Sequence, residues 1–188
     1  MIAARPTERR PISQELGIPP AELGLWIFLA TVAMLFAAFF SSYLIRRASS
    51  DWAPIALPSL LWVNTGILLA SSGTLERARA VARRSSPRSW MLVTLTLGIG
   101  FVAGQMAAWG LLRSEGIHLP SSPHSAFFYI LTGIHALHLT GGLSLLAWGT
   151  VHPYRTSPRG ADPLRLCATY WHFMGGLWVL VFLVLAAA

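Results

Sequence analysis

Five stretches of this chain carry no charged side chain at all: Leu23–Ile45, Trp52–Leu75, Ser89–Leu112, Gly116–Tyr154 and Leu166–Ala188. Each is long enough to cross a hydrocarbon core of about 30 Å, which needs roughly 20 helical residues. No run alternates apolar and polar positions as barrel strands do, and a helix satisfies every backbone N–H and C=O within its own segment. The pattern therefore predicts an all-α membrane protein, a bundle of five transmembrane helices. Breakers fall between the runs: Pro54 and Pro58 before the second, Ser85-Ser86-Pro87 before the third, Pro120 and Pro123 before the fourth, Pro153 to Pro163 before the fifth.

The charge confirms this class and adds an orientation. The net charge is +7, lysine is absent, and the arginines sit in the connections. Arg5, Arg9 and Arg10 precede the first run; Arg77, Arg79, Arg83, Arg84 and Arg88 separate the second from the third; Arg155, Arg159 and Arg165 lie before the fifth. Only Arg46, Arg47 and Arg113 occupy the other side. The positive-inside rule places the N-terminus in the cytoplasm and the C-terminus in the periplasm. Residues 1–22 then form a cytoplasmic segment and 23–188 the five-helix domain. The first run is too long for a signal-peptide core and is expected to stay in the mature protein. This placement of the positive charge argues for orientation and against nucleic acid as a partner.

Helices in lipid associate through small residues and a few buried hydrogen bonds. Ala33, Ala37 and Ser41 form one small-residue row, Gly66, Ala70 and Thr74 a second, and Gly100, Gly104 and Ala108 a third, with Gly141, Gly142, Gly175 and Gly176 as further points of close approach. Trp26, Tyr43, Trp52, Trp62, Trp90, Trp109, Trp148, Tyr154 and Trp171 fall near predicted span ends and are read as headgroup anchors.

Polar chemistry inside the spans is sparse. His118, His124 and His152 lie in loops or at span edges, leaving His135, His138 and His172. His135 and His138 share a helix face by spacing. Three imidazoles suit a haem or metal site, but no carboxylate or thiolate is expected beside them at bilayer depth. Interhelical hydrogen bonding is the preferred reading. Asn64, Thr65, Ser71 and Ser72 give the second helix a polar face, and Gln105 adds an amide to the third; these join the histidines in a network or line a narrow wet path. Cys167 is the only cysteine, which excludes an internal disulfide and a thiolate cluster. No nucleophile constellation, phosphate loop or zincin motif is present, so no catalytic residue is assigned.

In order along the chain these marks form a recognisable series. Leu25-Trp26-Ile27-Phe28-Leu29-Ala30 with Met34 and Phe36, then Leu57-Pro58 leading to Asn64-Thr65 and Ser71-Ser72, resembles the start of the five-helix core of the cytochrome c oxidase subunit III family. Phe127-Phe128-Tyr129-Ile130-Leu131-Thr132-Gly133-Ile134-His135-Ala136-Leu137-His138 resembles that family's histidine-bearing signature. Tyr170-Trp171-His172-Phe173 with Trp178 resembles its last-helix motif. The resemblance runs from about Leu23 to the C-terminus.

It implies an accessory, non-catalytic subunit of a haem-copper terminal oxidase in a bacterial inner membrane, of the short form lacking the first two helices. Haem and copper then belong to subunits I and II, and this chain binds no redox cofactor or metal. It braces subunit I, holds phospholipid and supports proton and oxygen supply. The residues assigned to its structural and lipid network are His135, His138, Tyr170, Trp171, His172, Asn64 and Gln105. Three positions where the family often carries an acid hold Val32, Ala108 and Gly175 here, so His172 is expected to find a Thr, a Ser or a lipid headgroup instead. The alternatives are an accessory subunit of a nitric-oxide reductase, a membrane haem protein using the three histidines, and a small-solute channel.

Overall fold

The computed structural model describes residues 19–151 and 162–187. Among the described residues the regular elements are five α-helices: α1 (Pro20–Arg47), α2 (Leu60–Ala82), α3 (Arg88–Ser114), α4 (Pro123–Val151) and α5 (Pro163–Ala186). No strand occurs among the described residues. The expected cytoplasmic segment lies mostly outside them, as do His152, Tyr154, Arg155 and Arg159.

Local chemistry sets the helix ends. α1 opens with Pro20 in its first turn, where the missing N–H costs nothing, and has Glu22 in that turn and Arg46 and Arg47 in its last, each sign matched to the helix dipole. α5 opens on Asp162, whose carboxylate accepts the N–H of Leu164 at 3.0 Å, followed by Pro163. α3 ends in a left-handed glycine, Gly116 at φ 78°. The N–H groups of Gly116 and Ile117 return to the carbonyls of Arg113 and Leu112, the pairing of a Schellman stop. In the loop after α1, hydrogen bonds from Ser49 and Arg46 hold the Asp51 carboxyl below its usual range.

α2 and α3 form the most extensive pair, and α5 packs against α1, α2 and α4. α1 touches only α4 and α5 to any extent. It buries a single stripe, Leu29, Val32, Phe36 and Tyr43, and leaves Trp26, Met34, Leu44 and Ile45 exposed. Around α5 the core closes on Trp171, Trp178, Phe101 and Phe128.

Four of the five helices are long and apolar enough to cross a membrane; α2 is the exception. Its helix starts eight residues after the apolar run begins and ends seven after it stops, so it takes in Glu76, Arg77 and Arg79. Its inner polar residues lower its mean hydropathy further. Asn64 and Ser71 are buried within the bundle.

Candidate functional site

The polar face of α2 is spent on its neighbours. The Asn64 amide donates to the Phe101 carbonyl of α3 at 3.0 Å, and the hydroxyls of Thr74 and Thr94 lie 2.8 Å apart. Toward α5, Trp171 Nε1 donates to Ser71 Oγ at 3.0 Å, and Trp178 Nε1 to Thr65 Oγ1 at 3.0 Å. Trp109 of α3 donates to Thr132 of α4 at 3.1 Å. Tyr170 of α5 donates to the His138 carbonyl of α4 at 2.6 Å. Each such bond contributes about 0.6 kcal/mol inside a membrane protein, rarely above 1.7. Asn64 and Ser71 thus bond across to α3 and α5, and neither bond reaches a histidine.

Glycines at three places let large groups in. A Cβ on Gly104 would collide with the Asn64 amide, one on Gly98 would sit 2.8 Å from Trp171 Cη2, and one on Gly142 would sit 2.6 Å from Tyr170 Cε1. The small-residue rows are realised only in part: nothing approaches a Cβ built on Gly66 or Gly100. Trp171, read from sequence as a headgroup anchor, is instead fully buried. Its ring fills the space that Gly98 and Gly142 leave open. Trp26 and Trp62, 53% and 66% exposed, suit the anchoring role.

The three histidines of the spans do not meet. His135 is fully buried, with its ring centroid 6.0 Å from Phe101 and 5.1 Å from Trp178. Neither ring nitrogen has a hydrogen-bond partner among the described residues, and the same holds for the Gln105 amide. These two named network residues thus pack within the core without joining the bonds around them. His138 donates Nδ1–H to the Ile134 carbonyl at 2.8 Å and turns its ring to Phe28 and Phe36 of α1. The shared face predicted from spacing is thus divided between two different neighbours.

His172 corrects the sequence expectation outright. Its Nε2 lies 2.6 Å from Oε1 of Glu76 on α2, a carboxylate rather than a hydroxyl or headgroup. Arg79 holds both oxygens of the same carboxylate, at 2.7 and 2.9 Å. Val32, Ala108 and Gly175 are all buried, so an acid at any of them would need its own partner. Glu76 instead reaches His172 from the last two turns of α2. The side chains are 37% and 48% exposed, which keeps their coupling near the surface range. Glu76→Gln and His172→Ala, made singly and together, should show a coupling of about 0.2 to 1 kcal/mol in unfolding free energy. Strict additivity would mean the pair makes no net contribution.

At the opposite end a second cluster escaped notice in the sequence. His124 is fully buried at the start of α4 and accepts the Ile55 N–H at 2.9 Å, which ties the first loop to the bundle. Its ring centroid lies 5.2 Å from Trp52 and 6.1 Å from Tyr43, and Phe127 closes the group at 5.5 Å from Tyr43. Only the pairing with a loop residue gives this edge histidine its role, and spacing carries no signal for it. Among the described residues no three His, Cys, Asp or Glu side chains gather as a metal site would require.

Residues 18–187 match the family model for cytochrome c oxidase subunit III. The chain belongs to the cytochrome c oxidase subunit III family. It is 32% identical over 173 residues to the probable cytochrome c oxidase subunit 3 of Mycobacterium tuberculosis, covering 87% of this chain and 85% of that one. It is 33% identical over 175 residues to cytochrome c oxidase subunit 3 of Synechocystis, covering 86% and 72%. The cytochrome bo(3) ubiquinol oxidase subunit 3 of Pseudomonas putida is 30% identical over 174 residues, covering 86% and 83%. This is a haem-copper oxidase subunit III, a multi-pass membrane protein and part of a multi-subunit respiratory oxidase.

Proposed function

We propose that this subunit III is a non-catalytic brace beside subunit I in a bacterial inner-membrane oxidase, crossing the bilayer five times with its N-terminus in the cytoplasm. One observation carries this reading: bonds from Trp171, Trp178, Tyr170, Asn64 and Trp109 each run from one helix to another, as a scaffold needs. The buried polar face of α2 is compatible with a fifth crossing, because Asn64 and Ser71 face protein and Trp62, Val63 and Leu69 face outward. Arg77, Arg79, Arg83, Arg84 and Arg88 cluster at one end of the α2–α3 pair, which supports that end as the cytoplasmic one.

Phospholipid belongs to the same reading. A cavity of about 500 Å³ between α1, α4 and α5 is lined by Gly24, Phe28, Gly141, Leu145, Trp148 and Tyr170, among others. Such a wall suits acyl chains. Haem and copper are assigned to subunits I and II, with phospholipid as this chain's own ligand and support of proton and oxygen supply as its service to subunit I. The matched relatives include both cytochrome c and ubiquinol oxidases by name, so the electron donor is a property of other subunits.

Deleting the chain should leave the haem spectra of the purified oxidase unchanged while activity under continuous turnover decays several-fold faster. Loss of haem from a complex that still assembles would overturn the scaffold reading.

A further inference from the structure

A hollow of about 930 Å³ opens where the C-terminus of α2, the α2–α3 turn and the start of α5 meet. Its lining divides into an apolar part, with Val81, Ala82, Pro87 and Leu164, and a polar part, with Arg79, Arg83, Arg84, Ser85, Glu76 and Asp162. The charges are not balanced. Glu76 is engaged by Arg79 and His172, and the Asp162 carboxylate caps α5 through Leu164 N–H. Arg83 and Arg84 have no carboxylate partner among the described residues. Two adjacent guanidinium groups thus border a cavity whose acids are already occupied.

We propose that this hollow binds the phosphodiester headgroup of an anionic phospholipid, with Arg83 and Arg84 on the phosphate and the glycerol and first methylenes against Val81, Pro87 and Leu164. The guanidinium fork matches phosphate oxygens in geometry and charge. The hollow also lies at the end of the α2 and α3 apolar runs, the depth at which lipid phosphates are concentrated and arginine-rich pockets attract them. A soluble anion has no use for the apolar half of the wall. The site shares no lining residue with the acyl cavity beside α1 and adds to the lipid part of the function proposed above, resting on the membrane placement alone.

The test uses the full chain, purified with whatever subunits accompany it, in neutral detergent. Dioleoyl phosphatidylglycerol or dioleoyl phosphatidylcholine is added as mixed micelles, and lipid retention is read by native mass spectrometry. Inorganic phosphate forms a third arm, read as a thermal shift against the same shift with phosphatidylglycerol. The variants are Arg83→Gln/Arg84→Gln and, as a control outside the hollow, Arg77→Gln. Wild type should retain phosphatidylglycerol over phosphatidylcholine, the double variant should bind it about 10- to 30-fold more weakly, and Arg77→Gln should match wild type. Equal weakening by Arg77→Gln would reduce the effect to general surface charge and overturn the site. So would inorganic phosphate stabilising wild type as much as phosphatidylglycerol does. Protection of Arg83 and Arg84 from phenylglyoxal that persists after delipidation would place a protein segment there and equally overturn it. If the chain proves to have no haem-copper neighbour, the scaffold reading fails while the phosphatidylglycerol result stands.

Discussion

Trp171→Ala should destabilise the folded subunit by about 3 to 5 kcal/mol, the range for deleting a fully buried aromatic ring. In a bilayer little of this comes from driving apolar surface out of water, because lipid is as apolar as the protein interior. The loss comes from packing: the ring has no exposure, fills the space beside Gly98 of α3 and Gly142 of α4, and bonds Ser71 of α2. One side chain of α5 thereby joins three other helices. Trp171→Phe keeps part of the contact and loses the bond, so a smaller cost of about 1 to 2 kcal/mol is expected. Trp26→Ala, at an exposed ring, should stay within about 0.5 kcal/mol of wild type. Equilibrium unfolding in mixed micelles measures all three. A cost below about 1 kcal/mol for Trp171→Ala would show that the four helices do not depend on that ring.

The helices were legible in the sequence because the uncharged runs mark where lipid lies, but apolarity does not mark where a helix starts or stops. α1 begins at Pro20, three residues before its run, through its proline start and first-turn Glu22. α4 begins seven residues after its run does, since Gly116 ends α3 and the following turn leads to Pro123. α2 shifts most, because Pro54 and Pro58 hold its approach out of the helix while the arginine-bearing tail stays helical. Asn64, Tyr170 and Trp171 stood out in the sequence by polarity and motif, and each bonds to a neighbouring helix. Their partners were not: Trp171 meets a serine 100 positions away, and His172 a glutamate 96 positions away. Gly66 and Gly98 show the same limit. Both are small residues in an apolar helix, and only the arrangement of neighbouring helices leaves one open and sets the other against a tryptophan.

Gly142 and Tyr170 should behave as one unit, and a double-mutant cycle exposes it. Gly142→Ala brings a methyl to 2.6 Å from Tyr170 Cε1 and 3.0 Å from Cδ1. The methyl meets the rigid ring rather than a flexible chain end, and the hydrogen bond to the His138 carbonyl fixes that ring at its far tip. Overpacking of this kind costs about 1 to 3 kcal/mol. Tyr170→Leu removes the ring edge and the hydrogen bond together, at a cost of its own, but leaves room for the methyl. In that background Gly142→Ala should cost less than about 0.5 kcal/mol. The two substitutions would then couple by about 1 kcal/mol or more, within the range seen for residues in contact. The expected order of stability is wild type first, each single variant below it, and the double variant close to Tyr170→Leu alone. Additive losses would mean that α4 and α5 can slide apart enough to admit the methyl, and that the Tyr170–His138 bond does not fix their separation.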